Sequence, residues 1–290
     1  MKKFIILFTI GLFLLGCERN KDEDPQEFVF GLQLASNQLS FDYINLSNCE
    51  ITNHSLPIQS GVLFRGVFDE NSNYYASVAD TVYEINIADN TINRKFNSPD
   101  KLLYIFNDFD RQYIIGVNII NDTVGIYRLS LQTENQSFIK TNLISDSDSF
   151  ISDVVYNSNE ETLIIKIGNE FNTLNIGNGE RISVFEIPNA THGLRFSRIE
   201  NSLNYIEFCD DKLYYKKCDL NGNENFSKIL ETEIVFFIAD NFVLTDNNDY
   251  VFIAMNQDQI TRLHRINSNE ISTMEIKDYD AIFGFSYIKK

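Results

Sequence analysis

Between residues 28 and 288 apolar positions form short runs or alternate with polar ones, and Asn, Asp, Ser and Gly interrupt them every few residues. Period two with turn punctuation predicts β-strands, and the helical period of about 3.6 residues is almost absent. Four kinds of strand recur in a fixed order. A dense apolar strand comes first, at 62–68, 102–109, 150–156, 194–199 and 235–239. A second apolar strand follows at 74–78, 113–120, 163–167, 203–208 and 250–255. The third alternates more, at 82–87, 124–131, 171–176, 213–220 and 260–266. The fourth is short and polar, at 92–96, 137–142, 182–187, 226–230 and 271–276.

This gradient has a physical reading. A strand sandwiched between neighbouring sheets is apolar on both faces, whereas an outermost strand borders solvent. Second strands begin near 28, 74, 113, 163, 203 and 250, which suits a repeat of about 40–50 residues with four strands per unit. Asn178-Gly179 and Asn221-Gly222 suit tight turns between third and fourth strands. The first unit, 28–56, lacks its own first strand, and 281–287 (AIFGFSY) supplies it from the far end of the chain. The fold class is therefore all-β: a six-bladed β-propeller of four-stranded blades, closed by the C-terminal strand completing the first blade. A twisted pair of β-sandwiches is the alternative architecture. The pattern over 28–288 resembles TolB-like and NHL-like propellers.

The leader is read separately. Lys2 and Lys3 precede a twelve-residue apolar run, 4–15, too short for the ~30 Å of a bilayer core, which takes about 20 residues. It reads as a signal peptide. Leu14-Leu15-Gly16-Cys17 resembles the lipobox of bacterial lipoproteins, which implies lipid on Cys17 and cleavage before it. Several acyl chains anchor stably where one does not. The polar stretch that follows ends at Pro25, and Lys21-Asp22-Glu23 resembles the surface-export signal of Bacteroidetes lipoproteins; a plain solvated linker explains the same residues. The expected organisation is a signal peptide at 1–16, a lipidated tether at 17–27 and a propeller at 28–290. The resemblance implies a lipid-anchored outer-membrane protein, with surface exposure open, and a monomeric body.

Charge narrows the partners. Lys and Arg total 24 against 41 Asp and Glu, a net charge of −17, which repels phosphate backbones and excludes nucleic acid. Chemistry-bearing patterns are few. Cys49, Cys209 and Cys218 remain after lipidation, an odd set that argues against a disulfide framework. His54, His192 and His264 lack metal-ligand spacing, so no metal or cofactor is expected. Acids punctuate the turns between second and third strands: Asp80, Asp122, Glu170, Asp210 with Asp211, and Asp258. They would share one face of the disc and give it negative potential, although Asp is also an ordinary turn residue. Arg65, Asp153 and Arg195 on innermost strands, with His192 at one strand's start, are candidates to line the channel. Structural pairing across blades would explain them equally well.

The function expected is a non-enzymatic binding or scaffolding module at the cell envelope, with a protein, glycan or peptide as its ligand. The absence of Trp argues against a sugar-stacking platform, although 14 Tyr and 24 Phe are present. The alternative is a propeller hydrolase or lyase with a carboxylate-based site at the channel mouth. Convergent acids or histidines at one mouth would favour the enzyme; an apolar rim would favour binding.

Overall fold

The computed structural model describes residues 26–289 except for 36–37, 60–62, 69–72, 99–100, 109, 145–150, 188–189, 211, 231–233, 257, 268 and 277–282. Cys17 and residues 18–25 of the tether lie outside the described residues, and Glu27, placed in the tether by the sequence, is already part of the first strand. Blade one contains β1 (Glu27–Ala35), β2 (Gln38–Asn45) and β3 (Ile51–Gln59). Blade two is β4 (Leu63–Phe68), β5 (Asn73–Val78), β6 (Thr81–Asn86) and β7 (Thr91–Asn97). Blade three is β8 (Tyr104–Asp108), β9 (Tyr113–Ile120), β10 (Thr123–Ser130) and β11 (Gln136–Ile144). Blade four is β12 (Ile151–Asn157), β13 (Thr162–Ile167), β14 (Glu170–Asn175) and β15 (Arg181–Glu186). Blade five is β16 (Ala190–Ser197), β17 (Ser202–Cys209), β18 (Lys212–Cys218) and β19 (Glu224–Leu230). Blade six is β20 (Ile234–Leu244), β21 (Tyr250–Asn256), β22 (Thr261–Ile266) and β23 (Ile271–Glu275). The last strand, β24 (Phe283–Lys289), returns to blade one, whose order is β24-β1-β2-β3.

Each sheet has four antiparallel strands, and the first strands touch one another around an axis, β24 to β4 to β8 and β12 to β16 to β20 to β24. Tyr156 of β12 bonds Asp108 of β8 and links the two runs. This is a six-bladed propeller, and it displaces the paired-sandwich alternative. Burial follows the gradient in the sequence. In blade four every residue of β13 is buried, whereas β15 has no buried position. The core lies between blades: Val155, Ile164 and Phe171 of blade four pack with Leu194, Leu203 and Tyr205 of blade five. Each such side chain contributes about 1.5–3 kcal/mol when removed from water.

The ring closes where the sequence places the closure. Phe28 stands opposite Ile288, Val29 opposite Tyr287 and Phe30 opposite Ser286. The Tyr287 hydroxyl donates to Glu27 at 2.9 Å, and Arg265 of blade six reaches the same carboxylate at 2.9 Å. The cysteines also stand as expected. Cys209 faces Lys212 across its turn, Cys218 faces Leu203, and Cys49, Cys209 and Cys218 are unbridged.

Three details depart from the sequence reading. Fourth strands are not the shortest: β11 has nine residues against five in β8. Inner strands are confined around the axis, while the rim leaves length free. The inner strand of blade five starts earlier than expected, and Ile199 falls in the following turn, 73% exposed. A register shift between His192 and Arg195 permits this. Gly193 sits in it at φ +65°, where a Cβ would lie 2.3 Å from the Phe242 ring; Tyr250 donates its hydroxyl to the Gly193 carbonyl. The inner strand of blade six likewise runs longer, with shifts after Ile234 and Phe237.

His264 tests this core. It is 3% exposed, stacked on Phe252 at 4.7 Å, with Nδ1 3.1 Å from Thr273 Oγ1. Burial, then the nearby Arg262 charge, pulls its pKa down to about 4. The unfolded imidazole takes a proton near 6.5, so the unfolded state binds more protons between the two values. Stability is therefore expected to fall as pH drops from about 6.5 to about 4, by up to about 3 kcal/mol. Denaturant melts across that range should be measurably flatter for His264→Phe.

Candidate functional site

Topology gives the disc two unlike faces. Turns from first to second strand, and from third to fourth, lie on one face. Turns from second to third strand lie on the other, together with the connections between blades. A cavity of about 410 Å³ opens on the first of these faces, at the C-terminal ends of the inner strands. All six inner strands wall it, through Phe68, Phe106, Tyr156, Phe196, Val243 and Tyr287 among others. Apolar side chains fall there because the inner strands must also pack against both neighbours.

Polar groups stand among these walls: Asn107 and Arg195 from inner strands β8 and β16, and Ser158, Arg198 and Asp246 from the segments that follow inner strands. Tyr156 donates to Asp108 at 2.5 Å, and Arg111 bridges Asp108 at 3.1 Å and Glu161 at 2.6 Å. Burial and then the Asp108 contact push the Tyr156 phenol up, so it remains a neutral donor. Asn107 Nδ2 donates to the Phe68 carbonyl at 2.7 Å, tying blade three to blade two. Arg198, from the first turn of blade five, pairs with Asp110 from the first turn of blade three. That ion pair links blades three and five, and Arg198 also lines the cavity. Among the described lining residues Asp246 is the one carboxylate, and no histidine is present.

The residues expected from the sequence divide into two groups. Asp153, His192 and Arg195 do come together, at the seam of blades four and five. Asp153 accepts from the Leu194 amide at 2.7 Å and the Val154 amide at 2.9 Å. Arg195 donates to the Phe242 carbonyl at 2.7 Å and the Leu194 carbonyl at 2.6 Å, and its guanidinium lies 3.8 Å from Asp153. Three blades are thereby joined, and cross-blade pairing accounts for both residues. Lys166 is a member that sequence reasoning missed. It is buried opposite Asp153 in the β12–β13 ladder, and Nζ donates to the Thr191 carbonyl at 3.1 Å. Burial lowers its pKa, and Asp153 works against that shift. Partial desolvation and then the Lys166 charge lower His192, again opposed by Asp153. The available signal was a lysine inside the apolar run Leu163-Ile164-Ile165-Lys166-Ile167. Arg65 lies on β4, and its side chain lies outside the described residues.

The turn acids form the second group. Asp80, Asp122, Glu170, Asp210 and Asp258 are all exposed. They sit on the face away from the 410 Å³ cavity. Asp122 and Asp210 adopt φ of 57° and 50°, a backbone that short polar side chains tolerate best. Among the described residues no group of three or more His, Cys, Asp or Glu could hold a metal ion.

The comparisons with known proteins agree with the architecture. No family model matches the chain, and no curated protein matches it by sequence. Solved structures do. TolB from Acinetobacter baumannii aligns over 95% of this chain and 69% of its own, with TM-score 0.66 at 11% identity. A protein of unknown function from Bacteroides caccae aligns over 91% and 99%, with TM-score 0.66 at 12% identity. Virginiamycin B lyase from Staphylococcus aureus aligns over 90% and 87%, with TM-score 0.56 at 15% identity. The chain thus shares the six-bladed propeller class with TolB-like structures. At these identities the likeness is one of fold, and proteins of diverse function share it.

Proposed function

We propose that this chain is a non-enzymatic binding module of the cell envelope, held at the outer membrane through lipid on Cys17, that takes a protein or peptide at the cavity mouth. One observation carries the reading: all six inner strands deliver apolar or aromatic side chains to one mouth, and Asp246 is the one carboxylate among the described lining residues. A hydrolase or lyase of the carboxylate type needs two acids facing one bond. An apolar recess with polar groups among its walls suits an anchoring side chain surrounded by hydrogen-bonding partners. The acidic composition and the Leu14-Leu15-Gly16-Cys17 motif support an exported, anchored location.

The test is a pull-down of the full-length protein from its native membranes, with two variants. Phe106→Arg places a charge on a half-buried wall of the cavity. It is expected to reduce recovery of the bound partner at least about tenfold, the effect of about 1.4 kcal/mol. Neutralising Asp80, Asp122 and Asp258 together, on the other face, is expected to leave recovery unchanged. The opposite pattern would move the binding site to the acidic face and overturn the proposal. Cys17→Ser is expected to release the protein from the membrane fraction.

A further inference from the structure

A second cavity, of about 380 Å³, opens on the same face as the channel mouth but between blades four and five, away from the axis. Thr162 and Thr173, on adjacent strands of blade four, form its inner wall with Asn157; Glu160, Asp219 and Asn221 stand in the turns around it. Asn157 is 0% exposed, Thr162 2% and Thr173 7%. Asn157 Nδ2, Thr162 Oγ1 and Thr173 Oγ1 are all buried without a hydrogen-bond partner. Such orphans are rare in folded proteins and call for an explanation. All three belong to residues that line this one cavity.

The donors and acceptors define that ligand. Asn157 Oδ1 accepts from the Asn159 amide at 3.0 Å and the Glu160 amide at 3.4 Å. This fixes the side-chain amide, so Nδ2 is what remains to offer, as a donor. A metal cation needs oxygen ligands and would meet those N–H groups. A phosphate or sulfate would meet Glu160 and Asp219. A purely apolar ligand would leave all three orphans unpaired. Hydroxyl groups satisfy the whole set: they accept from Asn157 and the threonines and donate to the carboxylates. Asp219 is held in place by its own turn, with Oδ1 accepting the Asn221 and Asn223 amides at 2.8 and 2.9 Å. Ile164, Ile182 and Leu220 provide aliphatic surface for a ring's C–H face. We infer that this groove binds a neutral saccharide unit through Asn157, Thr162 and Thr173. No aromatic ring lines it among the described residues, so hydrogen bonds do most of the binding and the affinity is expected near ~1 mM. The inference is separate from the channel mouth and stands whether or not that mouth holds a partner.

Saturation-transfer NMR on the full-length protein tests it. The probes are glucose, galactose, mannose and N-acetylglucosamine, each as free sugar and as methyl glycoside, with calcium chloride and sodium phosphate as competitors. At least one sugar is expected to saturate, and neither salt to displace it. Equal signals from sugar and glycoside would identify a glycan residue as the ligand; signal from the free sugar alone would identify a monosaccharide, and both outcomes support the site. The double variant Thr162→Val with Thr173→Val keeps the shape and removes both hydroxyls, and it is expected to lose the signal about tenfold or more. Should that variant misfold, Glu160→Gln, on an exposed turn, is expected to weaken the signal severalfold on an unchanged fold. The inference is overturned if no probe saturates at ~10 Kd of the expected affinity, if the signal survives in both variants, or if calcium or phosphate displaces the sugar.

Discussion

A chain that stops at residue 282 is expected to lose its cooperative unfolding transition. β24 is the inner strand of blade one and touches both β4 and β20. Without it the ring is open, and β1 presents an unpaired edge along the axis. Val29 and Phe30, both fully buried, lose a covering strand. Phe30 also packs on Phe68 at 4.8 Å and Tyr74 at 4.5 Å, so the damage reaches blade two. On the other side Glu27 loses the Tyr287 hydroxyl and is left with Arg265. A loss on this scale is comparable with the whole stability of a domain, ~5–15 kcal/mol. The exposed edge would also template association with other chains. The measurement is a thermal melt with light scattering. The truncated chain should show no sigmoidal transition and should aggregate, and a synthetic peptide of residues 283–290 added in trans should restore part of the transition. A truncated protein that melts like the full chain would show that the closure contributes little.

That closure was legible because it depends on something sequence carries well. A first unit without its innermost strand and a surplus apolar strand at the far end leave one economical pairing, and Phe28 opposite Ile288 realises it. Blade order was legible for the same reason, since it follows from periodicity, and the odd set of cysteines argued against the bridges that Cys49, Cys209 and Cys218 lack. The candidate site was less so. Turn acids such as Asp122 and Asp210 look like a cluster in sequence, but their side of the disc follows only from the path of the strands. The 410 Å³ cavity is the sum of small contributions from six distant segments, none of which stands out alone. Lys166 was missed because a strand's alternation assigns a charged residue to solvent by default, and here that position faces a buried carboxylate. Asn157, Thr162 and Thr173 were invisible for a related reason: an orphan is defined by what fails to approach it, and no local pattern encodes that.

Asp153→Ala is expected to destabilise the fold by about 3–5 kcal/mol, the cost of removing one partner from a buried charged group. Three consequences combine. The Leu194 amide loses its acceptor at 2.7 Å inside the seam of blades four and five. Arg195 loses the Asp153 carboxylate 3.8 Å from its guanidinium, although its bonds to the Phe242 and Leu194 carbonyls remain. Lys166, buried and with its pKa already lowered by desolvation, loses the carboxylate that opposes that shift. The sign of the pH effect follows from Lys166. A cation whose folded pKa lies below its unfolded value makes the unfolded state the better proton binder between the two, so stability rises with pH across that window. In the wild type the window ends at the ordinary lysine value of 10.5. Removing Asp153 lowers the folded value further and widens the window toward neutrality. The variant should therefore regain part of its lost stability as pH is raised toward the ordinary lysine value of 10.5, with a steeper slope than the wild type. Adding Lys166→Met to Asp153→Ala should abolish that slope and recover part of the loss, since the unpaired charge is gone and an apolar chain of similar length takes its place. Urea melts at several pH values measure all three proteins. If Asp153→Ala cost less than about 1 kcal/mol, as an exposed ion pair would, the seam would be wet and Lys166 free to serve a ligand.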